Sequence, residues 1–239
     1  MSEDYSKRII VFMDILGFKN LVADEKSKDK LFLIMKYLKW VEDSNYNGVL
    51  SMDDLGREIT VFSDSIVISY DANIKGALFY ILMDIIHIQL DFANQGVYLR
   101  GGITVGELYH KHNIVFGPGM VKAYELESIH AKYPRIILEK DLIVFGVENR
   151  LEIHSIEEEL TYIANLLKED DDKYFYIDFL NQREELDNPY DINNILNILR
   201  ENILRHTIDY VNPSIYEKYT WLRKYYNICV DEKFKIKES

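Results

Sequence analysis

The sequence predicts an α+β fold in which helices flank a mainly antiparallel sheet. Apolar strand-like segments alternate with helical segments through the first half of the chain. Within that alternation, residues 58–70 have the pattern of a hairpin, which pairs neighbouring strands antiparallel. Two long helical patterns occupy the C-terminal end. Together these observations favour a sheet-containing core followed by a helical extension.

The first half of the core contains a strand, a helix and a hairpin. Residues 9–16 form a short apolar run that ends on a carboxylate and a glycine turn, which predicts a buried strand. Residues 29–43 carry apolar side chains at helical spacing. Strands are then predicted at 58–63 and 65–70, so Asp64 should lie at or near the tip of their hairpin.

The core continues with a second helix and a second long strand. Residues 74–93 are apolar on most sides, which is typical of a buried helix, and residues 97–109 are strand-like. A short strand at 114–116 and a helix at 117–127 follow. The resulting β-α-β-β-α-β order is that of the ferredoxin-like split βαβ arrangement.

The remaining segments are short strands and long helices. Strands are predicted at 135–138 and 174–179, and helices at 192–210 and 214–229, with Pro213 as a helix-start signal. The acidic run 169–172 is interpreted as a solvated loop. We expect one domain over residues 1–185 and a helical extension over residues 186–239 packed on the same domain.

Charge and composition exclude several classes of partner. The net charge of −12 argues against a nucleic-acid backbone or an anionic membrane as the main partner. The single cysteine, Cys229, cannot form an internal disulfide, which favours a reducing compartment. Because no apolar run approaches the length of a membrane span, we expect a cytoplasmic protein.

Two carboxylates lie inside apolar strand patterns. Asp14 ends the first strand, and Asp64 interrupts the apolar run of the hairpin. A buried carboxylate costs several kcal/mol unless positive charge compensates it, and a divalent metal ion is one such compensation. The pair therefore indicates metal-assisted phosphoryl chemistry. Each residue also has a structural alternative, since Ser-Asp-Ser favours tight turns and Asp can cap the helix after the first strand.

Four motifs occur in order with appropriate spacing, and together they resemble the catalytic domain of class III nucleotide cyclases over about residues 8–140. They are Asp14-Ile15-Leu16-Gly17-Phe18; Phe62-Ser63-Asp64-Ser65; Arg100-Gly101-Gly102-Ile103-Thr104-Val105-Gly106-Glu107; and the helix that ends in Leu126-Glu127-Ser128. The resemblance implies a class III cyclase fold and a homodimer with two equivalent active sites. It also implies two divalent ions, Mn²⁺ or Mg²⁺, and a nucleoside triphosphate substrate.

The resemblance assigns roles to particular residues of the first motif and the hairpin. Asp14 and Asp64 would be the catalytic metal ligands, and the Ile15 carbonyl would supply a further oxygen. The backbone N–H groups of Leu16, Gly17 and Phe18 would hold the β- and γ-phosphates. Arg100 would bind a phosphate or stack on the base, with pairing to an acidic neighbour as the structural alternative.

The chain departs from the purine cyclases at four positions. Thr60 stands where they carry a base-reading Lys, which makes it a candidate substrate-binding residue, and Ile114 stands where they carry an Asp or Cys. Val121 and Glu125 replace the Asn and Arg that steady the transition state, and neither can donate a hydrogen bond to a phosphate.

This combination resembles the pyrimidine cyclases of the bacterial Pycsar anti-phage systems, which make cyclic UMP or cyclic CMP for a separate effector. That resemblance implies UTP as the favoured substrate and CTP as the second. Two alternatives stay open, namely a catalytically degenerate cyclase fold used for dimerisation or nucleotide sensing, and a purine cyclase with an unusual base pocket. His110 and His112 have the spacing of metal ligands on one strand face but are expected to be exposed at a hairpin tip.

Overall fold

The computed structural model describes residues 4–43, 55–185, 189–208 and 212–237. Within these residues an eight-stranded sheet has the order β2-β3-β1-β4-β6-β8-β7, and β5 pairs with β4 outside this path. The strands are β1 (Ser6–Ile15), β2 (Glu58–Phe62), β3 (Ser65–Asp71), β4 (Leu99–Lys111), β5 (Ile114–Phe116), β6 (Ile136–Leu138), β7 (Leu167–Glu169) and β8 (Phe175–Ile177).

Helices cover this sheet and extend the chain at its C-terminal end. They are α1 (Phe18–Ala23), α2 (Lys28–Asp43), α3 (Ala77–Asn94), α4 (Pro118–Glu125), α5 (Lys140–Glu148), α6 (Ile156–Ala164), α7 (Pro189–Ile208) and α8 (Pro213–Cys229). A π-helical turn, Leu126–His130, continues α4. Three short 3₁₀ segments complete the described secondary structure: Glu25–Ser27, Phe179–Glu185 and Glu232–Phe234.

The strand order confirms the predicted α+β class and its ferredoxin-like core. β1 pairs antiparallel with both β3 and β4, and β2 pairs antiparallel with β3, which gives the order β2-β3-β1-β4. β4 then pairs parallel with β6, and β8 and β7 return antiparallel. The sheet is therefore mainly antiparallel, as the hairpin pattern predicts.

The core lies around β1 and α3. From Ile9 to Met13 every side chain of β1 is buried, because the strand has sheet neighbours on both edges and packed side chains on both faces. α3 buries most of its length in the main apolar cluster. By length and composition this is also the one described helix that could cross a membrane, but its place at the centre of the core explains its apolar character.

The C-terminal helices pack onto the rest of the molecule. α7 contacts both α3 and α8. Tyr225 of α8 is fully buried, and its hydroxyl donates to Asp178 Oδ1 at 2.8 Å and accepts from the Leu180 amide at 2.8 Å. Trp221 of the same helix donates from Nε1 to Asp170 Oδ2 at 2.7 Å. α8 is thus held by side-chain hydrogen bonds as well as by apolar packing.

The interpretation of residues 169–172 as a solvated loop holds for Asp171 and Asp172, which are exposed, but not for Glu169, which ends β7, or for the half-buried Asp170. Asp170 and Asp172 both form ion pairs with Arg135, whose side chain is 1% exposed. Arg135 also lies against the aromatic rings of Tyr176 and Trp221. A buried guanidinium needs charge partners, and the nearest strand turn supplies them.

His110 is likewise not exposed, which corrects the expectation for the hairpin tip. It is 4% exposed, because the long strand β4 carries it over the face of β2 and β3. Its Nε2 lies 2.9 Å from Thr60 Oγ1 and its Nδ1 lies 2.8 Å from Ser69 Oγ. Burial, with a smaller contribution from Arg8, lowers the pKa of His110 to about 4. His112, two residues further on, is exposed as expected.

Candidate active site

Asp14 and Asp64 lie side by side at one end of the sheet. In the sheet register Asp14 pairs with Ser65 on one edge and with Arg100 on the other. The backbone N–H of Ile15 donates to the Asp64 carbonyl at 2.9 Å, which pins the hairpin tip to the end of β1. Two sequence-distant carboxylates are thereby brought into contact by strand pairing alone.

The hairpin tip that carries Asp64 contains a strained backbone position. Ser63 has φ of 57°, in the left-handed region that a residue with a Cβ adopts at a cost of about 1–2 kcal/mol. Such conformations persist where the surrounding structure fixes them, and they concentrate at functional sites. Here the fixing contacts are the Phe62–Ser65 strand pair and the Ile15–Asp64 hydrogen bond.

Arg100 links Asp14 to a third carboxylate that sequence reasoning did not assign, Glu127. Arg100 Nε donates to Asp14 Oδ2 at 3.1 Å, and its Nη2 lies 2.7 Å from Glu127 Oε1. The second contact is an ion pair without hydrogen-bond alignment, so the buried Glu127 Oε1 has no well-directed donor. Pairing of Arg100 with an acidic neighbour, the structural alternative, therefore occurs within the site itself.

The glycines that follow Arg100 explain how Glu127 reaches it. A Cβ on Gly102 would lie 2.4 Å from Leu126 Cβ and 3.2 Å from the Glu127 nitrogen. Only a residue without a side chain lets the π-helical turn pack directly on β4. π-helical turns of this kind occur often at functional sites. The Leu126-Glu127-Ser128 triplet was the one signal in the sequence that marked this turn.

The carboxylates of the site are unequal in their ease of ionisation. Burial raises the pKa of Asp14; Arg100 opposes the rise, and contact with Asp64 adds to it. Burial raises the pKa of Glu127 to about 7, again with Arg100 opposing and with Asp14 and Asp64 adding to the rise. Three carboxylates around one guanidinium leave an excess of negative charge that favours cations.

The raised pKa of Glu127 predicts a pH dependence of stability. Above pH 4.5 the unfolded chain loses this proton while the folded chain keeps it to about pH 7, so the free energy of unfolding falls as pH rises through that window. Gln has no proton to lose, so this pH-dependent fall in stability is absent in Glu127→Gln. We expect the free energy of unfolding of the variant, relative to that of wild type, to be about 2 kcal/mol higher at pH 8 than at pH 4.5, measured by urea unfolding without metal.

The matched control for that measurement is Glu125→Gln, which alters an exposed carboxylate two residues before Glu127. Its stability should follow the wild-type pH profile. If the stability difference between Glu127→Gln and wild type stayed constant over the whole pH range, the assignment of a buried proton to Glu127 would be wrong.

The loop after Asp14 carries the three amides predicted to hold phosphates, and one of them is already hydrogen-bonded within the fold. The Leu16 N–H donates to the Tyr98 carbonyl at 2.9 Å, so it is already used by the fold. Gly17 takes φ of 75° at the start of α1, and Phe18 is the first residue of that helix. Within the described residues no acceptor is recorded for the Gly17 and Phe18 amides, which remain available to a ligand.

Thr60 is placed differently from the carboxylates. Its hydroxyl lies 2.9 Å from His110 Nε2 and donates to the His112 carbonyl at 3.1 Å, so it is already hydrogen-bonded within the chain. Ile114 and Val121 are exposed, at 58% and 57%. Glu125 is exposed as well. None of these four positions contributes to the cluster around Asp14.

The donor set fits a pair of hard divalent cations. Asp14 is 18% exposed on its side chain and Asp64 is half-buried, so both keep oxygens open to a ligand. No group of three or more His, Cys, Asp or Glu side chains within the described ranges forms a metal-binding cluster. Mg²⁺ is commonly bound by one or two carboxylates together with substrate phosphates and water, and Asp14 and Asp64 are two such carboxylates.

Comparison with known proteins gave matches only among solved structures. No protein-family model matches the chain, and no curated protein matches it. The guanylyl cyclase domain of a rhodopsin fusion protein from the fungus Blastocladiella emersonii is 13% identical, with a TM-score of 0.43, over 73% of this chain and 96% of that domain. An adenylate/guanylate cyclase/hydrolase from Silicibacter pomeroyi is 16% identical, with a TM-score of 0.45, over 62% and 84% of the two chains.

A bacterial light-regulated adenylyl cyclase is also similar, at 14% identity and a TM-score of 0.47, over 84% of this chain and 58% of that one. All three TM-scores lie below 0.5.

Proposed function

We propose that this chain is a nucleotide cyclase that converts a pyrimidine nucleoside triphosphate to its 3′,5′-cyclic monophosphate and pyrophosphate. UTP is the favoured substrate and CTP the second. The observation that carries the proposal is the contact between Asp14 and Asp64 beside Arg100, at the end of a buried strand. The product acts as a second messenger in the cytoplasm, where a separate effector of an anti-phage system responds to it.

The reaction forms one bond and breaks one. The 3′-oxygen of the substrate bonds to the α-phosphorus, the bond from that phosphorus to the β-phosphate oxygen breaks, and the 3′-hydroxyl proton leaves to solvent. Asp14 and Asp64 would hold two divalent ions, Mn²⁺ or Mg²⁺, with the Ile15 carbonyl as a further ligand. Bound ions would supply positive charge to an ionised 3′-oxygen and to the leaving pyrophosphate. The Gly17 and Phe18 amides and Arg100 orient the phosphates.

The pyrimidine preference is supported by the two base-reading positions among the four that differ from purine cyclases. The Thr60 hydroxyl already bonds within the chain, and Ile114 has no polar group, so neither offers a donor to a purine edge. Phe62, Phe116 and Tyr124 are exposed and supply apolar surface near these positions. A pyrimidine presents fewer polar edge atoms than a purine, so its binding loses the least free energy when these hydrogen bonds are absent.

Competition among the four nucleoside triphosphates tests this preference. With all four at equal concentration and Mn²⁺ present, we expect cyclic UMP as the main product, cyclic CMP second and little cyclic AMP or cyclic GMP, because the purine-reading donors are absent. Mass spectrometry of the products decides the order. Predominant cyclic AMP or cyclic GMP would overturn the pyrimidine assignment but not the cyclase assignment.

The proposed assembly is a homodimer with two equivalent sites. α4 and β5 pack against each other and expose a set of apolar side chains that a second copy can cover: Ile114, Phe116, Val121 and Tyr124. We expect light scattering to give twice the chain mass of 28.3 kDa at working concentration. A fully active protein of single-chain mass would contradict this prediction.

A second candidate is a cyclase fold that binds nucleotide without turning it over. The exposed Val121 and Glu125 of α4 favour it, since neither residue can donate to a phosphate. Retention of two mutually repelling carboxylates opposes it, because a binding module gains nothing from their cost. Nucleotide binding in calorimetry without any cyclic product would support this candidate.

A further inference from the structure

The C-terminal helix brings one additional cation to the site. Lys218 lies in α8, and its side chain is half-buried. Its neighbour Tyr219 packs edge-on against Tyr98, with ring centroids 6.2 Å apart, and the Tyr98 carbonyl accepts from the Leu16 amide, so this turn of α8 lies at the end of the sheet that carries Asp14. Arg100, Asp14 and Glu127 are the charges that act on Lys218 there. The charge of Lys218 in turn opposes the rise that burial causes in the pKa of Glu127. None of the sequence motifs marked this residue.

The helix that carries Lys218 is held rigidly in place. Trp221 and Tyr225 follow Lys218 at three and seven residues along α8, which places them on the same helix face. Trp221 donates to Asp170, and Tyr225 bonds to both Asp178 and the Leu180 amide. A side chain on a packed helix face is positioned more reproducibly than one on a loop.

Lys218 differs from Arg100 in its ion pairs within the described residues. Arg100 pairs with Asp14 at 3.1 Å and with Glu127 at 2.7 Å. Across the part of the chain that the structure describes, no carboxylate forms an ion pair with the Lys218 ammonium. A half-buried lysine of this kind beside a candidate polyphosphate site has the chemistry of a phosphate ligand.

We propose that Lys218 binds the polyphosphate of the substrate, as a cation that the C-terminal extension adds to the site of its own chain. This inference deepens the proposed function and rests on it. Lys218 contacts the β- and γ-phosphates, and it stabilises the charge that develops on pyrophosphate as the bond to the α-phosphorus breaks. The helical extension is then part of the active site and not only a support for the sheet.

Calorimetric binding of inorganic tripolyphosphate with Mn²⁺ tests the proposal without requiring turnover. We expect Lys218→Ala to weaken binding by about 10-fold or more, because a charge-assisted contact is lost, and Lys218→Arg to recover part of the affinity. Lys224→Ala removes an exposed lysine two turns along the same helix and should bind as wild type does. Wild-type affinity in Lys218→Ala, with an unchanged melting temperature, would overturn the proposal.

The outcome also separates this inference from the cyclase assignment. A wild-type protein that cyclises a triphosphate, with a Lys218→Ala variant of equal kcat and KM, refutes the role of Lys218 and leaves the cyclase standing. A protein that binds tripolyphosphate through Lys218 but makes no cyclic product from any nucleoside triphosphate keeps the phosphate site and refutes the cyclase.

Co-expressing the Asp14→Asn and Lys218→Ala chains tests whether Lys218 serves its own chain. If both residues act in one site, every site in the mixture is damaged, and the activity should not exceed that of Lys218→Ala alone. Activity recovered in the mixture would show that Lys218 reaches the partner's site, which would overturn the assignment within one chain.

Discussion

Replacing Asp14 or Asp64 by Asn is expected to abolish product formation while the protein stays folded. Each substitution removes a proposed ligand of both metal ions, and the loss of several kcal/mol of charge stabilisation predicts a fall in rate of about 1,000-fold or more. Burial raises the pKa of Asp14 in the folded chain, so the ionised carboxylate destabilises the fold at neutral pH. Asp14→Asn should therefore melt at the wild-type temperature or above it.

The control for this pair is Asp141→Asn, an exposed carboxylate in the first turn of α5. It should change neither turnover nor melting temperature. Product formation near the wild-type rate in either site variant, at saturating Mn²⁺, would refute the two-metal proposal. A variant that loses both activity and fold would show instead that the carboxylate is structural.

The part of the fold that the sequence predicts well is the part with strong local signals. Apolar runs and a tight turn predict β1 and the β2–β3 hairpin. Both hairpin strands lie within one residue of their predicted bounds, whereas β1 begins at Ser6, three residues before its predicted start. The core helix α3 was also predicted, although it begins at Ala77 after the left-handed Gly76 and not at residue 74. Residues 209 and 210 of the predicted C-terminal helix lie outside the described ranges.

The weakly patterned segment between β6 and β8 was not predicted. α5, α6 and β7 are short, at nine, nine and three residues, and their apolar faces are completed only by packing against other elements. The capping box of Ser155 and Glu158 was a local signal that could have located the start of α6. Short elements of this kind depend on tertiary contacts more than on propensity.

The incorrect predictions of exposure for polar residues have one cause. His110 was expected at the surface because it follows a strand pattern near a turn, but β4 continues past its sheet neighbours and buries it. Asp170 lies in an acidic run, yet Arg135 at the start of β6 requires it. Charge runs and turn patterns describe local exposure, whereas these contacts join residues far apart in the sequence.

The same limit applies to the candidate site. Asp14, Asp64 and Arg100 were identified because they lie within motifs, and strand pairing brings them together. Glu127 lies within a motif but acquires its position from the π-helical turn on Gly102. Lys218 has no local signal, since its place near Asp14 depends on how α8 packs.

Arg100→Met is expected to destabilise the protein in a pH-dependent way, because it leaves Asp14 and Glu127 without their guanidinium. Arg100 now lowers the pKa of both carboxyls, so its removal raises both further above their unfolded values. Folding stability is then lost as pH rises, by about 2–4 kcal/mol at pH 8, and the loss is smaller near pH 5, where Glu127 holds its proton. Urea unfolding at the two pH values measures this, and an equal loss at both would contradict it.

The double variant Arg100→Met, Glu127→Leu separates charge balance from catalysis. Replacing an ion pair by apolar residues of similar size is often neutral, so stability at pH 8 should return towards that of wild type. Product formation should stay lost, because the double variant still lacks the guanidinium that orients the phosphates beside Asp14. A double variant that recovered turnover along with stability would show that Arg100 serves only to neutralise Glu127, and Lys218 would then be the one described cation left to bind the substrate phosphates at the site.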